Sequence, residues 1–131
     1  MGYQVKVLLD THALLWWLEG GKQLSRRARS VIQNPETTVL VSAASAWEIA
    51  IKSASGRLQA KPLVADFEKQ LMEEGFSELP IFSRHALRAG LLKSPHKDPF
   101  DRMLAAQAEV ENLPIISKDE SFDALGVRRI W

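Results

Sequence analysis

Val5-Lys6-Val7-Leu8-Leu9-Asp10-Thr11-His12-Ala13-Leu14-Leu15-Trp16-Trp17-Leu18-Glu19-Gly20-Gly21 is the stretch from which the fold is read. Val5 to Leu9 is a short, nearly continuous apolar run ended by an acid, the pattern of a strand buried on both faces. Thr11 to Glu19 then reads as a short helix, with Leu14, Leu15 and Leu18 on one side and the glycine pair stopping it.

Working outward, strand and helix signals keep alternating. Ser25 is placed to cap a helix running to Gln33, with Leu24, Ala28, Val31 and Ile32 at helical spacing and Pro35 marking the exit turn. Thr38 to Val41 is a β-branched strand. Ser45-Ala46-Trp47-Glu48 matches a capping box for a helix reaching Gly56. Lys61-Pro62 leads into a helix over Leu63 to Glu74, closed by Gly75. Phe76 to Ile81 is a weaker strand, because Pro80 has no donor for a ladder. Ser83 is expected to cap Arg84 to Leu92. Asp98-Pro99, an acid at N-cap and proline at N1, starts a helix to about Glu111. Leu113 to Ser117 and Val127 to Ile130 read as the last strands. The alternation predicts an α/β sandwich with a mostly parallel sheet.

The chain has 131 residues, the usual size of one domain, and the whole of 1–131 is read as one. Lys and Arg number 17 against 16 Asp and Glu, a formal charge of +1 that excludes a polycation holding nucleic acid by charge alone. Cysteine is absent, which removes disulfides, thiol catalysis and cysteine-based metal sites and is compatible with a reducing cytoplasm. Asp10 interrupts the early apolar run before a secretory signal forms, and the uncharged stretch Thr37 to Trp47 is far short of the ~20 residues of a membrane span.

In an open parallel sheet, ligands bind beyond the carboxyl ends of the strands. Four acids fall there: Asp10 after the first strand, Glu48 in the first turn or so of the helix after the second, Asp119 just past Ser117, and Asp101 in the first turn of the helix opened by Asp98. Each also has a plain structural reading. Asp10 is able to cap its own helix, Glu48 to complete the capping box, Asp101 to favour a helix dipole and Asp119 to make a turn. Their coincidence on one edge is what calls for chemistry. Two like charges ~4 Å apart repel by roughly 4 kcal/mol at an effective dielectric near 20, so four together rival a domain's ~5–15 kcal/mol of stability. A divalent cation offsets that repulsion, and hard oxygen donors favour Mg²⁺ or Mn²⁺, one ion or two. Such a site suits phosphodiester hydrolysis by a metal-activated water.

Leu8 to Trp16 and Ser42 to Lys52, followed by His96-Lys97-Asp98-Pro99-Phe100-Asp101-Arg102-Met103-Leu104-Ala105-Ala106-Gln107-Ala108 and Ile115 to Asp119, resemble in order and spacing the PIN domain across essentially the whole chain. A chain that is a PIN domain and nothing more resembles the VapC toxins of bacterial toxin–antitoxin modules. The resemblance implies a PIN-like three-layer α/β/α sandwich and a Mg²⁺- or Mn²⁺-dependent endoribonuclease inhibited by a cognate VapB-like antitoxin, whose tail binds in a groove near the active site. It also implies self-association as a homodimer. The family's acidic quartet falls on Asp10, Glu48, Asp101 and Asp119, with Asp98 ranked below Asp101. Ser117 matches a position where the family tends to carry a hydroxyl.

The remaining features read both ways. Lys22, Arg26, Arg27 and Arg29 form a basic cluster, either an RNA-backbone contact or a solvated helix face. Lys52 stands four residues after Glu48, placed for an ion pair or a phosphate contact, and Arg102 beside Asp101 carries the same ambiguity. His12, His85 and His96 are dispersed, with His12 expected to pack near the site. Trp16, Trp17 and Trp47 read as core or interface anchors, with base stacking the lesser reading. Two rivals to a nuclease stand: a non-cleaving RNA- or protein-binding module on the same fold, and a phosphotransferase using Asp10 as nucleophile. The latter lacks a second aspartate two positions on.

Overall fold

A computed structural model describes residues 5–131; the first four residues, counted within the domain expected above, lie outside the described residues. The sheet contains β1 (Val5–Leu9), β2 (Thr37–Ser42), β3 (Ser77–Leu79), β4 (Ile115–Ile116) and β5 (Arg129–Ile130) in the order β3-β2-β1-β4-β5. Every pairing is parallel, with Val7 opposite Val39, Leu9 opposite Val41 and Leu9 opposite Ile116 on the other side. The chain winds outward from β1 to β3, then returns to β1's other side for β4. This places the topological switch point, where such sheets bind ligands, between the ends of β1 and β4.

The helices are α1 (Thr11–Leu18), α2 (Arg26–Gln33), α3 (Ala43–Ala54), α4 (Lys61–Ala65), α5 (Phe67–Glu74), α6 (Ser83–Leu91), α7 (Pro99–Val110) and α8 (Ser121–Ala124). The two-residue period of β1 divides the core into two layers. Val7 and Leu9 pack with Val39, Val41 and Ile116 against Ala13 and Leu14 of α1 and Ala28 and Ile32 of α2. Leu8 packs on the other face with Ile115 against Leu104, Ala105 and Ala108 of α7 and Phe122 of α8. The three-layer α/β/α sandwich follows from this division.

Several local expectations change. β2 runs on to Ser42, whose hydroxyl accepts from the Ala44 N–H at 2.9 Å and caps α3. The Ser45–Glu48 capping box is therefore not formed: Ser45 lies inside α3, where its Oγ accepts from the Thr11 hydroxyl at 3.0 Å, and Glu48 falls in the second turn. The single helix expected over Leu63 to Glu74 is two, because Asp66 leaves helical geometry with φ −127° and ψ 35°. Ser83 is the first residue of α6 and not its cap; the free N–H of Phe82 is taken by His85 Nδ1 at 3.0 Å. α8 was not expected at all. The caps at Asp10, Ser25 and Asp98 and the left-handed Gly75 closing α5 are as read from the sequence.

A buried amide ties the two core layers at the site edge. Ser42 Oγ donates to Gln107 Oε1 at 2.5 Å, and Gln107 Nε2 donates to the Pro80 carbonyl at 3.1 Å. These bonds fix α7 against the carboxyl ends of β2 and β3.

Candidate active site

Asp10 lies where β1 ends, at the switch point. Its N–H donates to the Ile116 carbonyl of β4 at 3.1 Å, so the turn out of β1 is held by the neighbouring strand. Its Oδ1 accepts from the Ala13 N–H at 2.7 Å, which caps α1. The residue is only 6% exposed. Burial, the largest influence, drives its pKa from 3.8 to about 6. The Ser117 hydroxyl, the Ala13 N–H and the His12 imidazole act against that rise, and the charge of Asp101 adds to it.

Asp101 sits in the first turn of α7, oriented by the Asp98 cap, whose Oδ1 accepts from the N–H groups of Phe100 and Asp101 at 2.9 and 3.1 Å. The pKa of Asp101 is also raised, first by burial and further by the charges of Asp98 and Asp119, against the pull of His96. Asp119 follows β4 through a tight turn in which the Ser117 hydroxyl accepts the Asp119 N–H at 3.0 Å. Desolvation is the largest single influence on Asp119 and pushes up, yet the Ser121 N–H bonded to it at 2.9 Å and the His96 and His12 imidazoles prevail and hold its pKa down. Asp10 thus feels the charge of Asp101, and Asp101 that of Asp119, while Ser117, fully buried, bonds both to Asp10 and to the Asp119 turn.

Glu48 is 5% exposed but engaged with Lys52, Oε2 to Nζ at 2.6 Å, so of the two readings of Lys52 the ion pair is the one formed. Among the described residues, no three Asp, Glu or His side chains converge closely enough to chelate an ion as they stand. The donor chemistry nevertheless fits a hard cation. Asp10 is a buried carboxylate with no ion pair among the described residues, and Glu48 and Asp101 are each held by a positively charged or protonatable group that balances the charge a cation would take.

Two residues emerge that the sequence did not single out for these roles. His96 Nε2 donates to Asp101 Oδ2 at 2.9 Å. Arg102 explains why His96 is there: its guanidinium donates to the carbonyls of Ala89, Leu92 and His96 at 3.0, 2.6 and 3.1 Å, and to that of Ser94 at 3.4 Å. It therefore does not pair with Asp101; it shapes the 92–98 loop. The basic cluster forms no ion pair with these acids among the described residues. Arg26, Arg27 and Arg29 are exposed on α2, which feeds the start of β2, the strand end opposite the acidic edge.

A cavity of about 270 Å³ opens at the switch point, lined by Asp10, His12, Trp16, Lys118 and Asp119. A second, about 400 Å³ and largely apolar, is lined from α3, α6 and the start of α7, with Trp47 and Phe100 meeting edge to face at 5.0 Å in its wall.

The geometry can be set against known proteins. Similar solved structures include VapBC2 from Rickettsia felis bound to a DNA fragment from its promoter, 12% identical over 96% of this chain and 98% of that one with a TM-score of 0.70. VapBC-1 from nontypeable Haemophilus influenzae is 20% identical over 96% and 97% with a TM-score of 0.68. A toxin–antitoxin complex from Klebsiella pneumoniae is 18% identical over 90% of each chain with a TM-score of 0.61. These likenesses establish the shared fold. No curated protein sequence matches the chain. The PIN domain family model matches residues 7–127, nearly the full length and all the acids at the sheet edge, and the chain belongs to the PIN domain family.

Proposed function

We propose that this chain, residues 1–131 acting as one catalytic unit, is a Mg²⁺- or Mn²⁺-dependent endoribonuclease and the toxin of a type II toxin–antitoxin pair. The observation that carries the reading is Asp10: a buried carboxylate at the switch point, its pKa pushed up to about 6, beside two further acids whose charges reach it or its neighbour. A fold that buries an unpaired carboxylate beside other acids at its ligand-binding edge is keeping those oxygens for a cation.

Asp10, Glu48, Asp101 and Asp119 would hold the ion or ions. A bound divalent cation supplies a water of lowered pKa and offsets charge on the leaving oxygen. The chain's own residues do the rest. The Ala13 N–H fixes one oxygen of Asp10, the Ser117 hydroxyl braces Asp10 and the Asp119 turn, and the Arg102-built loop brings His96 to Asp101.

The similar solved structures include VapBC and toxin–antitoxin complexes. They support a VapB-like antitoxin as partner, whose tail would lie in a groove near the site, and a homodimer in the cytoplasm belongs to the same reading. No helix among the described residues is long and apolar enough to cross a membrane. The decisive experiment is cleavage of structured RNA with MgCl₂ or MnCl₂, with Asp10→Asn as control. Loss of cleavage in the variant is expected; equal cleavage by both proteins refutes the site. The engagement of Glu48 by Lys52 favours, as second reading, a non-cleaving RNA- or protein-binding module, which the same assay identifies by RNA binding without cleavage by the wild type.

A further inference from the structure

His12 and Trp16 are four residues apart on α1 and so share one face. Their rings lie 5.8 Å apart at 37°, and both line the cavity that Asp10 and Asp119 line. Trp16 is half-buried: one side packs on the core, where Trp131 backs it at 5.9 Å and 55°. The indole is thus held in place before any ligand arrives. Lys118 completes the cavity from the turn after β4, between Ser117 and Asp119, exposed and without an ion pair among the described residues.

A carboxylate pair, an ammonium group and a fixed indole in one cavity match the parts of a single nucleotide unit. We propose that Trp16 and Lys118 form a nucleotide subsite for single-stranded RNA, Trp16 stacking the base next to the scissile phosphate and Lys118 pairing with a flanking phosphate oxygen. The inference rests on the nuclease reading above and deepens it. Trp16 as a core residue and Trp16 as a stacking platform are not rivals here, because the packed side is what keeps the other side rigid. Every base has a π-face, so the subsite confers affinity with little sequence preference.

The test is fluorescence anisotropy of a labelled oligoribonucleotide in an Asp10→Asn background, which is expected not to cleave it, alone and combined with Trp16→Phe, Trp16→Leu or Lys118→Ala. Trp16→Leu is expected to weaken binding ~10-fold or more and Trp16→Phe by no more than ~3-fold. Lys118→Ala weakens binding across sequences and lowers the salt slope by about one. Mn²⁺ binding by Lys118→Ala, followed calorimetrically, stays at the wild-type level, which separates the subsite from the metal ligands. Should Trp16→Leu fail to fold, the exposed Lys118→Ala carries the test alone. Unchanged oligonucleotide affinity in both variants overturns the subsite, as does a Trp16→Leu protein that binds RNA normally but loses a co-purifying protein partner. RNA bound as described but never cleaved supports the subsite and removes the nuclease reading; cleavage by Trp16→Leu and Lys118→Ala at wild-type KM does the reverse.

Discussion

Replacing Asp10 by Asn in the cation-free protein is predicted to raise stability at neutral pH. A pKa of about 6 in the folded chain against 3.8 ordinarily corresponds to about 3 kcal/mol, at about 1.4 kcal/mol per pH unit. The folded chain binds this proton more tightly than the unfolded one, so wild-type stability is highest where the acid is protonated and falls as pH rises from about 4 through 6. Asn carries no charge to desolvate and still offers an Oδ1 to the Ala13 N–H, so the cap on α1 survives.

In EDTA at about pH 7.5, the variant should therefore melt roughly 10 °C above wild type, the gap closing toward about pH 4. Adding MnCl₂ at neutral pH should raise the wild-type midpoint and leave the variant's unmoved, because an ion that binds only the folded, ionised site stabilises it by mass action. Differential scanning calorimetry across pH, with and without Mn²⁺, makes the measurement. A variant no more stable than wild type near neutrality, or a gap that does not change with pH, would refute the claim that Asp10 is a buried charge kept at a cost.

Other perturbations reach the scaffold of the site. Lys52→Met leaves Glu48 buried without its ion pair and should cost about 1–3 kcal/mol in cation-free protein, a loss that shrinks when MnCl₂ is added. Arg102→Ala abandons the carbonyls of Ala89, Leu92 and His96; roughly 2–4 kcal/mol of stability should go. Faster hydrogen exchange confined to residues 92–98 and the start of α7 would show the loop released from Asp101. Gln107→Leu removes the acceptor of the Ser42 hydroxyl and the donor to Pro80, for a penalty of about 1–3 kcal/mol read by urea denaturation.

How legible these features were depended on whether the cause lies within a few residues of the effect. The β1–α1 unit was plain because a strand buried on both faces must be apolar at every position, and Asp10 marked both its end and the next helix's cap. The start of α3 defeats a local reading for the same kind of reason. Ser45 and Glu48 satisfy a local pattern, but Ser42, the last residue of β2 and paired with Leu79, already caps the helix, so α3 starts three residues earlier. The displacement puts Glu48 a turn deeper in α3, clear of any capping role. No glycine or proline marks the break at Asp66. His96 and Arg102 were unreadable in a stronger sense: Arg102 works through backbone carbonyls, which every residue possesses, so its partners leave no trace in the sequence.

The plain and the functional readings of the acids also prove to be one. In the sequence, Asp10 reads as a helix cap or as a ligand, and Asp98 as a cap that leaves Asp101 for chemistry. In the folded chain the cap is what makes a ligand of Asp10. The Ala13 N–H holds Oδ1, so the carboxylate has a single orientation at the switch point before any cation arrives, and the entropy of aligning it is already spent in folding. Asp98 does the same at one remove, by presenting Asp101 on the first turn of α7. Capping alone would have been served as well by Ser or Asn, neither of which brings a charge that burial then penalises. An ionisable cap, chosen where an uncharged one would be more stable, is the physical sign that the edge serves something other than the fold.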